Sequence, residues 1–320
     1  MKQIRIFGCG GAGINLAAHF IGKGKEAGCA ELLPALVDTS ESNLRGRKLN
    51  DAALYLVQGL DGSGKIRAEN HAEIARNVKQ ILMQIEPLDL NVVIFSASGG
   101  SGSVIGPLLL KELNDRGAPA VALVVGSDES VIAAENTLKT LQSLEKISAG
   151  TGVPVVMSFH QNRITGKRSD VDRDVFSVIG CLAVLASGEN REMDSKDVEH
   201  WLNYPKVSGV KAQLSSLHIC TSNETFDNVS QPLSVASLYG HPDNQHVATS
   251  ADYHAVGYTD LSALDVNELH FAISAEDLGE IGAEIKATVD KLLQGRNARV
   301  GQNILLKDVK GQETDDMLVL

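Results

Sequence analysis

Three times in the first third of the chain, an apolar run ends in a glycine-rich turn and a helix-like segment follows. The turns are Gly8-Cys9-Gly10-Gly11-Ala12-Gly13, Gly59-Leu60-Asp61-Gly62-Ser63-Gly64-Lys65 and Ser98-Gly99-Gly100-Ser101-Gly102-Ser103. Glycine lets a backbone approach a ligand closely, and a following helix N-terminus offers free N–H groups and a positive dipole. One such turn can be a mere bend. Three at the ends of neighbouring strands require a shared sheet edge, and together they suit a pocket that wraps a polyphosphate with backbone amides.

The elements around the turns support that arrangement. Strands are predicted at Ile4–Gly8, Leu33–Val37, Ala53–Val57, Asn91–Ser96, Ala120–Gly126 and Val153–Phe159. Helices are predicted at Ile14–Lys23, Ala68–Ile85, from the third turn to Asn114, and at Ile132–Ile147. Runs such as Val92-Val93-Ile94-Phe95 suit strands buried on both faces, as in a doubly wound, mostly parallel sheet. In Asp170–Ala186, Val171, Val175, Val178, Ile179, Leu182 and Leu185 recur at helical spacing, which suits a long central helix between two domains. Beyond it the texture turns to α+β: helices at Asp194–Leu202 and Asp277–Leu293, and strands at Ser216–Cys220, Val247–Ser250, Ala255–Thr259 and Leu269–Ser274. The expected division is a nucleotide-binding domain over 1–187, an α+β domain over 188–298 and an extended acidic tail over 299–320.

Composition narrows the function classes. Hydrophobic residues make up 43% and charged residues 22% of the 320, ordinary for a folding chain of about two domains. A net charge of −11 leaves no broad basic field, and one Trp, five Tyr and seven Phe leave little for base stacking, so no direct nucleic-acid partner is expected. No apolar run approaches the ~18 residues of a membrane helix, and the alternating Met1–Phe7 stretch lacks a signal-peptide block, so a cytoplasmic protein without a membrane partner is expected. Cys9, Cys29, Cys181 and Cys220 form no metal spacing, and no protein-held metal is expected.

Two nucleotide motifs compete. Gly8–Gly13 is GxGxxG in its strand-turn-helix context, and Asp38 ends the next strand where a ribose-binding acid would sit; alone these would read as an NAD-dependent oxidoreductase. Gly59–Lys65 nearly matches the P-loop, but Ile66 has no hydroxyl for Mg²⁺, so the segment reads as a flexible turn touching a nucleotide or touching nothing. The Ser98–Ser103 turn exceeds what a dehydrogenase needs.

On these residues the chain resembles the tubulin/FtsZ superfamily over nearly its whole length. The family signature GGGTG[TS]G aligns with Ser98-Gly99-Gly100-Ser101-Gly102-Ser103-Val104, and the first FtsZ loop, GVGGGGGN, with Gly8–Asn15. The stretch Gly99–Leu108, the Thr137-Leu138-Lys139-Thr140-Leu141 segment and the acidic, apolar-tipped C-terminus are most similar to the phage-encoded tubulins of the PhuZ type.

The resemblance implies GTP and GDP as ligands, with Mg²⁺, and self-assembly head to tail into filaments. It implies phosphate and base contacts at Gly10, Gly11, Ala12 and Asn15, a γ-phosphate loop at Gly62, Ser63, Gly64 and Lys65, and the phosphate signature at Gly99, Gly100, Ser101, Gly102 and Ser103. Asn162, Arg168 and Asp172 match the base-recognition regions, Arg168 standing where relatives place an aromatic residue. An aspartate can accept both guanine N1–H and N2–H₂, which favours GTP over ATP. The catalytic NxDxxD of the family aligns with Glu192-Met193-Asp194-Ser195-Lys196-Asp197, so Asp194 and Asp197 would act on the nucleotide of a neighbouring subunit. Spacing alone favours an N-cap at Asp194 with Asp197 in the first helical turn, and one residue can do both. If the two are only a cap, the protein would be a nucleotide-binding filament with little turnover. The resemblance further implies that Glu313, Asp315 and Asp316 of the tail contact an adjacent subunit, and that the filaments position phage DNA in the host cytoplasm.

Overall fold

The computed structural model describes residues 2–46, 49 and 51–299. The expected tail contacts Glu313, Asp315 and Asp316 lie outside the described residues. Ten strands make one continuous sheet. Its parallel part is β3 (Ala53–Leu56), β2 (Glu31–Asp38), β1 (Gln3–Cys9), β4 (Leu90–Ser96), β5 (Ala120–Ser127) and β6 (Val155–Asn162), in that order. β7 (Leu214–Cys220) continues it parallel to β6. β10 (Glu268–Ser274) then pairs antiparallel with both β7 and β8 (Ser234–Tyr239), and β9 (Tyr253–Tyr258) lies parallel to β8 at the edge. The sheet therefore runs unbroken from the first expected domain into the second. The strand order reverses direction between β1 and β4, the place in a doubly wound sheet where a crevice opens beyond the strand ends.

Strand residues alternate between two cores. Val92 and Ile94 point into one and Val93 and Phe95 into the other, all fully buried. The first core packs under α1 (Gly10–Ala17), α5 (Arg168–Leu185) and α6 (Ser195–Leu202). The second packs under α2 (His71–Gln84), α3 (Gly102–Asp115), α4 (Val131–Thr151) and α8 (Leu278–Arg299). A short α7 (Asn223–Phe226) follows β7. α5 buries Val175, Ile179 and Leu182 at the spacing of one helical face, as the sequence pattern predicts.

Three local expectations are corrected. The helix after β1 starts at Gly10 rather than Ile14 and gives way at Ala18–Phe20 to a 3₁₀ turn, so the glycine motif itself forms the first helical turn. Val247–Ser250 is not a strand; the Val247 N–H is bonded by the Tyr239 hydroxyl at 2.8 Å instead of by a neighbouring strand. A strand stands at Ser234–Tyr239, where polar serines obscure the apolar pattern. Its Ser237 is fully buried, with its hydroxyl 2.9 Å from His254 Nε2 and 3.0 Å from His270 Nδ1.

Candidate functional site

The ends of β1, β2, β4, β5 and β6 surround a cleft of about 660 Å³. Gly11, Ala12, Gly62, Ser63, Lys65, Gly99, Gly100, Ser101, Gly102, Asn162 and Arg168 line it, so all three glycine-rich turns meet in one place. Gly10 sits behind the lining with φ +67°, and a Cβ there would come within 2.7 Å of the Gly102 nitrogen: the first and third turns touch backbone to backbone. At Gly100 an added Cβ would collide with the Ser63 hydroxyl, so the second turn also closes on the third. At Gly10 the clash is with backbone, so no side chain larger than hydrogen fits there; at Gly100 the Ser63 side chain would have to move.

Polar side chains lock the second and third turns together. Ser101 Oγ lies 2.6 Å from Thr39 Oγ1 and 3.3 Å from Ser63 Oγ. The buried Asn136 of α4 donates to the carbonyls of Lys65 at 2.9 Å and Ser98 at 3.2 Å. Ser103 Oγ donates back to the Gly99 and Gly100 carbonyls at 2.7 and 2.9 Å, so its role is to shape the turn. Pro107 inside α3 has no N–H for the Ser103 carbonyl one turn earlier, and Arg67 Nη2 reaches that carbonyl at 3.3 Å instead. Arg67 thereby fastens the chain after the second turn to the start of α3.

The chemistry of the lining suits an anion held by dipoles. α4, α6 and α7 have side-chain N-caps at Ser130, Asp194 and Ser222. Of the three helices that start at the cleft, α1 and α3 have no side-chain cap and no acid in the first turn, whereas α5 carries Asp170 there. The first N–H groups of α1 and α3 are thus left for a ligand. Net charge does not do this work: Lys65 and Arg168 are outnumbered in the lining by Asp38, Asp61 and Glu129. Arg168 pairs with Glu129 at 2.5 Å across the rim, an engagement that competes with stacking on a base. Asn162 Oδ1 is buried with no donor, an acceptor in the lining that a ligand N–H could satisfy.

The dehydrogenase and P-loop readings both fail on geometry. Asp38 is 2% exposed, and burial raises its pKa. Its carboxylate accepts the Thr39 N–H and the Asn43 amide, each at 2.7 Å, so it braces its own loop rather than presenting two free oxygens to a ribose. Lys65 is left-handed at φ +67°, and α2 begins only at His71, whereas a P-loop runs directly into its helix.

Other predicted residues lie elsewhere. Gly64, Asn15 and Asp172 do not line the cleft. Asn15 is on the exposed face of α1, and Asp172 is one turn into α5. His19 stacks on Phe176 at 4.1 Å, which brings α1 and α5 side by side, with Asn15 and Asp172 each four residues earlier. Sequence reasoning passed over Ser40, Ser42, Asn43, Ser96, Ser127 and Glu129, and gave no role to Cys9, Asp61 and Ser98 within the turns. The available signal was the run of short polar residues at the carboxyl end of nearly every parallel strand.

Asp194 and Asp197 stand apart from the cleft. Asp194 caps α6, its Oδ1 accepting the N–H groups of Lys196 at 2.7 Å and Asp197 at 3.1 Å. Asp197 Oδ2 in turn accepts the Asp194 N–H at 2.8 Å, a complete capping box. The loop before it is strained and pinned: Glu192 has φ +72°, and Arg191 exchanges backbone hydrogen bonds with Tyr258 at 2.8 and 3.0 Å. α6 lies at the edge where the strands begin. Its Glu199 and Leu202 border Ala118, Pro119 and Pro154, just ahead of β5 and β6. α5 joins the two ends, from Arg168 at the cleft to Ala183, whose carbonyl accepts the Ala30 N–H just before β2. At 1.5 Å per residue its 18 residues span roughly 27 Å.

Comparison with known proteins agrees with this geometry. Residues 3–153 match the GTPase domain of the tubulin/FtsZ family, and residues 193–276 match the C-terminal domain of phage tubulin-like protein. The phage tubulin-like protein of Pseudomonas phage phiKZ is 27% identical over 329 residues, covering 99% of this chain and 98% of its own. Among solved structures, a protofilament of TubZ from bacteriophage PhiKZ superposes with TM-score 0.87 at 26% identity, covering both chains fully. The phage tubulin PhuZ with GDP superposes with TM-score 0.87 at 25% identity over 99% of each chain. Among the described residues no helix is long and apolar enough to cross a membrane.

Proposed function

The chain belongs to the tubulin/FtsZ family, and on that premise we propose that it binds GTP in the cleft and polymerises head to tail. Hydrolysis then takes place where one copy's acids meet the next copy's nucleotide. The separation of the two sites carries this reading. The cleft opens at the strand ends, Asp197 meets Tyr253 at the start of β9 with Asp194 beside it, and α5 stands between the two sites. A single chain cannot bring the two together, whereas a stack of copies does so at every junction. The filament and GDP-bound relatives support the same assembly and ligand.

In this account the uncapped N–H groups of α1 and α3 and the amides of the turns hold the phosphates. Ser63, Gly64 and Lys65 close over the γ-phosphate. Gly10 and Ser103 serve indirectly, by setting the turns. The base extends toward the seam between α1 and α5, where Asn15, Asn162, Arg168 and Asp172 surround it. Asp172 accepts the two guanine N–H groups, and Arg168 stacks once released from Glu129. Among the described residues no three His, Cys, Asp or Glu side chains could hold a metal, so Mg²⁺ would arrive with the triphosphate and neutralise phosphate charge. Asp194 and Asp197 polarise the attacking water of the copy beneath. Residues 1–187 form the nucleotide-binding unit and 188–298 the unit that delivers the acids. The tail, through Glu313, Asp315 and Asp316, joins adjacent copies. The setting is the cytoplasm of an infected bacterium, and the cargo is phage DNA moved without direct contact.

Light scattering tests the central part. Scattering should rise with GTP, persist with a slowly hydrolysed analogue and stay at baseline with GDP. Equal scattering in all three would contradict nucleotide-driven assembly.

A further inference from the structure

Tyr253 opens β9, and its phenol donates a hydrogen bond to Asp197 Oδ1 at 2.9 Å, from a position 56 residues away in sequence. The other oxygen of Asp197 is already engaged by the Asp194 N–H. The capping box is therefore complete without Tyr253: the helix start needs Oδ2 alone, and Asp194 supplies the reciprocal cap. The phenol does something additional. It fixes the second oxygen, and with it the plane of the carboxylate, from the opposite side.

The tyrosine is itself held firmly. Its ring packs against the first core and meets His200 edge to face at 6.0 Å. Burial pushes the phenol well above its usual range, and the Asp197 hydrogen bond and charge add to the shift, so the group stays protonated and donates in this pair. Each Asp197 oxygen keeps a lone pair for a water from outside.

We propose that Tyr253 is a positioning residue for hydrolysis, holding the Asp197 carboxylate in the orientation that meets the nucleotide of the next copy. This rests on the reading of Asp197 as a catalytic acid. Asp197 is half-buried at the molecular surface, so without the phenol its side chain is free to rotate about the Oδ2 contact and leave the water it should polarise. Misplacement of a polarising group by a fraction of an ångström lowers turnover without altering the affinity of the ground state.

The test uses the full chain with Tyr253→Phe and Asp197→Ala side by side. Phosphate release is divided by sedimented protein, and the critical concentration is measured with a slowly hydrolysed GTP analogue. Tyr253→Phe is expected to assemble at the wild-type critical concentration while turnover per assembled subunit falls about tenfold with KM unchanged. Tyr253→Gln, which offers an N–H donor, should regain part of that loss. Wild-type turnover in Tyr253→Phe while Asp197→Ala is inactive would overturn the positioning role alone, as would a rise in critical concentration with turnover per assembled subunit intact. Undiminished turnover in Asp197→Ala would overturn the catalytic reading beneath it.

Discussion

At the scale of single residues, the cleft depends on a few positions where no alternative side chain fits. Gly10 combines a left-handed backbone with contact against Gly102, so Gly10→Ala should cost about 1–3 kcal/mol and weaken GTP binding in parallel. Thermal unfolding with and without GTP checks both effects; an unchanged midpoint would refute the close approach of the two turns. Glu192 shows the opposite case. A glutamate at φ +72° is strained, and the family motif places asparagine, which tolerates that conformation, at this position. Glu192→Asn should therefore raise the melting temperature by a few degrees. The glycines were legible from the sequence because each marks a backbone demand. Asp38 was legible as a polar strand end but not in its role, since its partner Asn43 is set by the fold of the loop. Asn136 was invisible: a lone asparagine in an amphipathic helix gives no sign that it reaches two loops.

At the scale of elements, the caps separate structure from chemistry. Asp194 both caps α6 and, in the proposed reaction, supplies charge. Asp194→Asn keeps an N-cap acceptor and removes the charge, whereas Asp194→Ala removes both. Filaments of both variants should form and hydrolyse GTP very slowly, but only the alanine variant should lose about 1 kcal/mol of stability. Equal stability of the two would refute the cap, and wild-type phosphate release in either would refute the catalytic assignment. A second element-level prediction concerns the β8–β10 region. His270 is fully buried and its pKa is depressed by burial to about 4, with His254 also lowered, both around the Ser237 hydroxyl. The unfolded chain binds these protons first, so stability is intact above pH ~6.5 and is lost as pH falls toward 4. Unfolding midpoints across that window should fall steeply, and a flat profile would contradict the buried network. This region was the least legible part of the chain. Buried serines and histidines in hydrogen-bonded pairs carry no hydrophobic period, so β8 was missed and Val247–Ser250 was misassigned. The parallel strands were plain because burial on both faces leaves uninterrupted apolar runs.

At the scale of the whole molecule, one continuous sheet carries a cleft at the strand ends and a pair of acids at the strand starts, with α5 fixing the distance between them. The sequence order of the parts was readable, and so was the convergence of three glycine turns on one edge. Their placement at opposite ends was not, because it depends on α6 packing against β8 and β9 through contacts remote in sequence. In the proposed function, that placement makes activity a property of the assembly. The direct test is GTP turnover per subunit measured across protein concentration, with sedimentation at each point. Turnover should be close to zero while the protein stays in the supernatant and should rise together with the sedimented fraction. A specific activity independent of concentration would show that one chain completes its own site and would contradict the account.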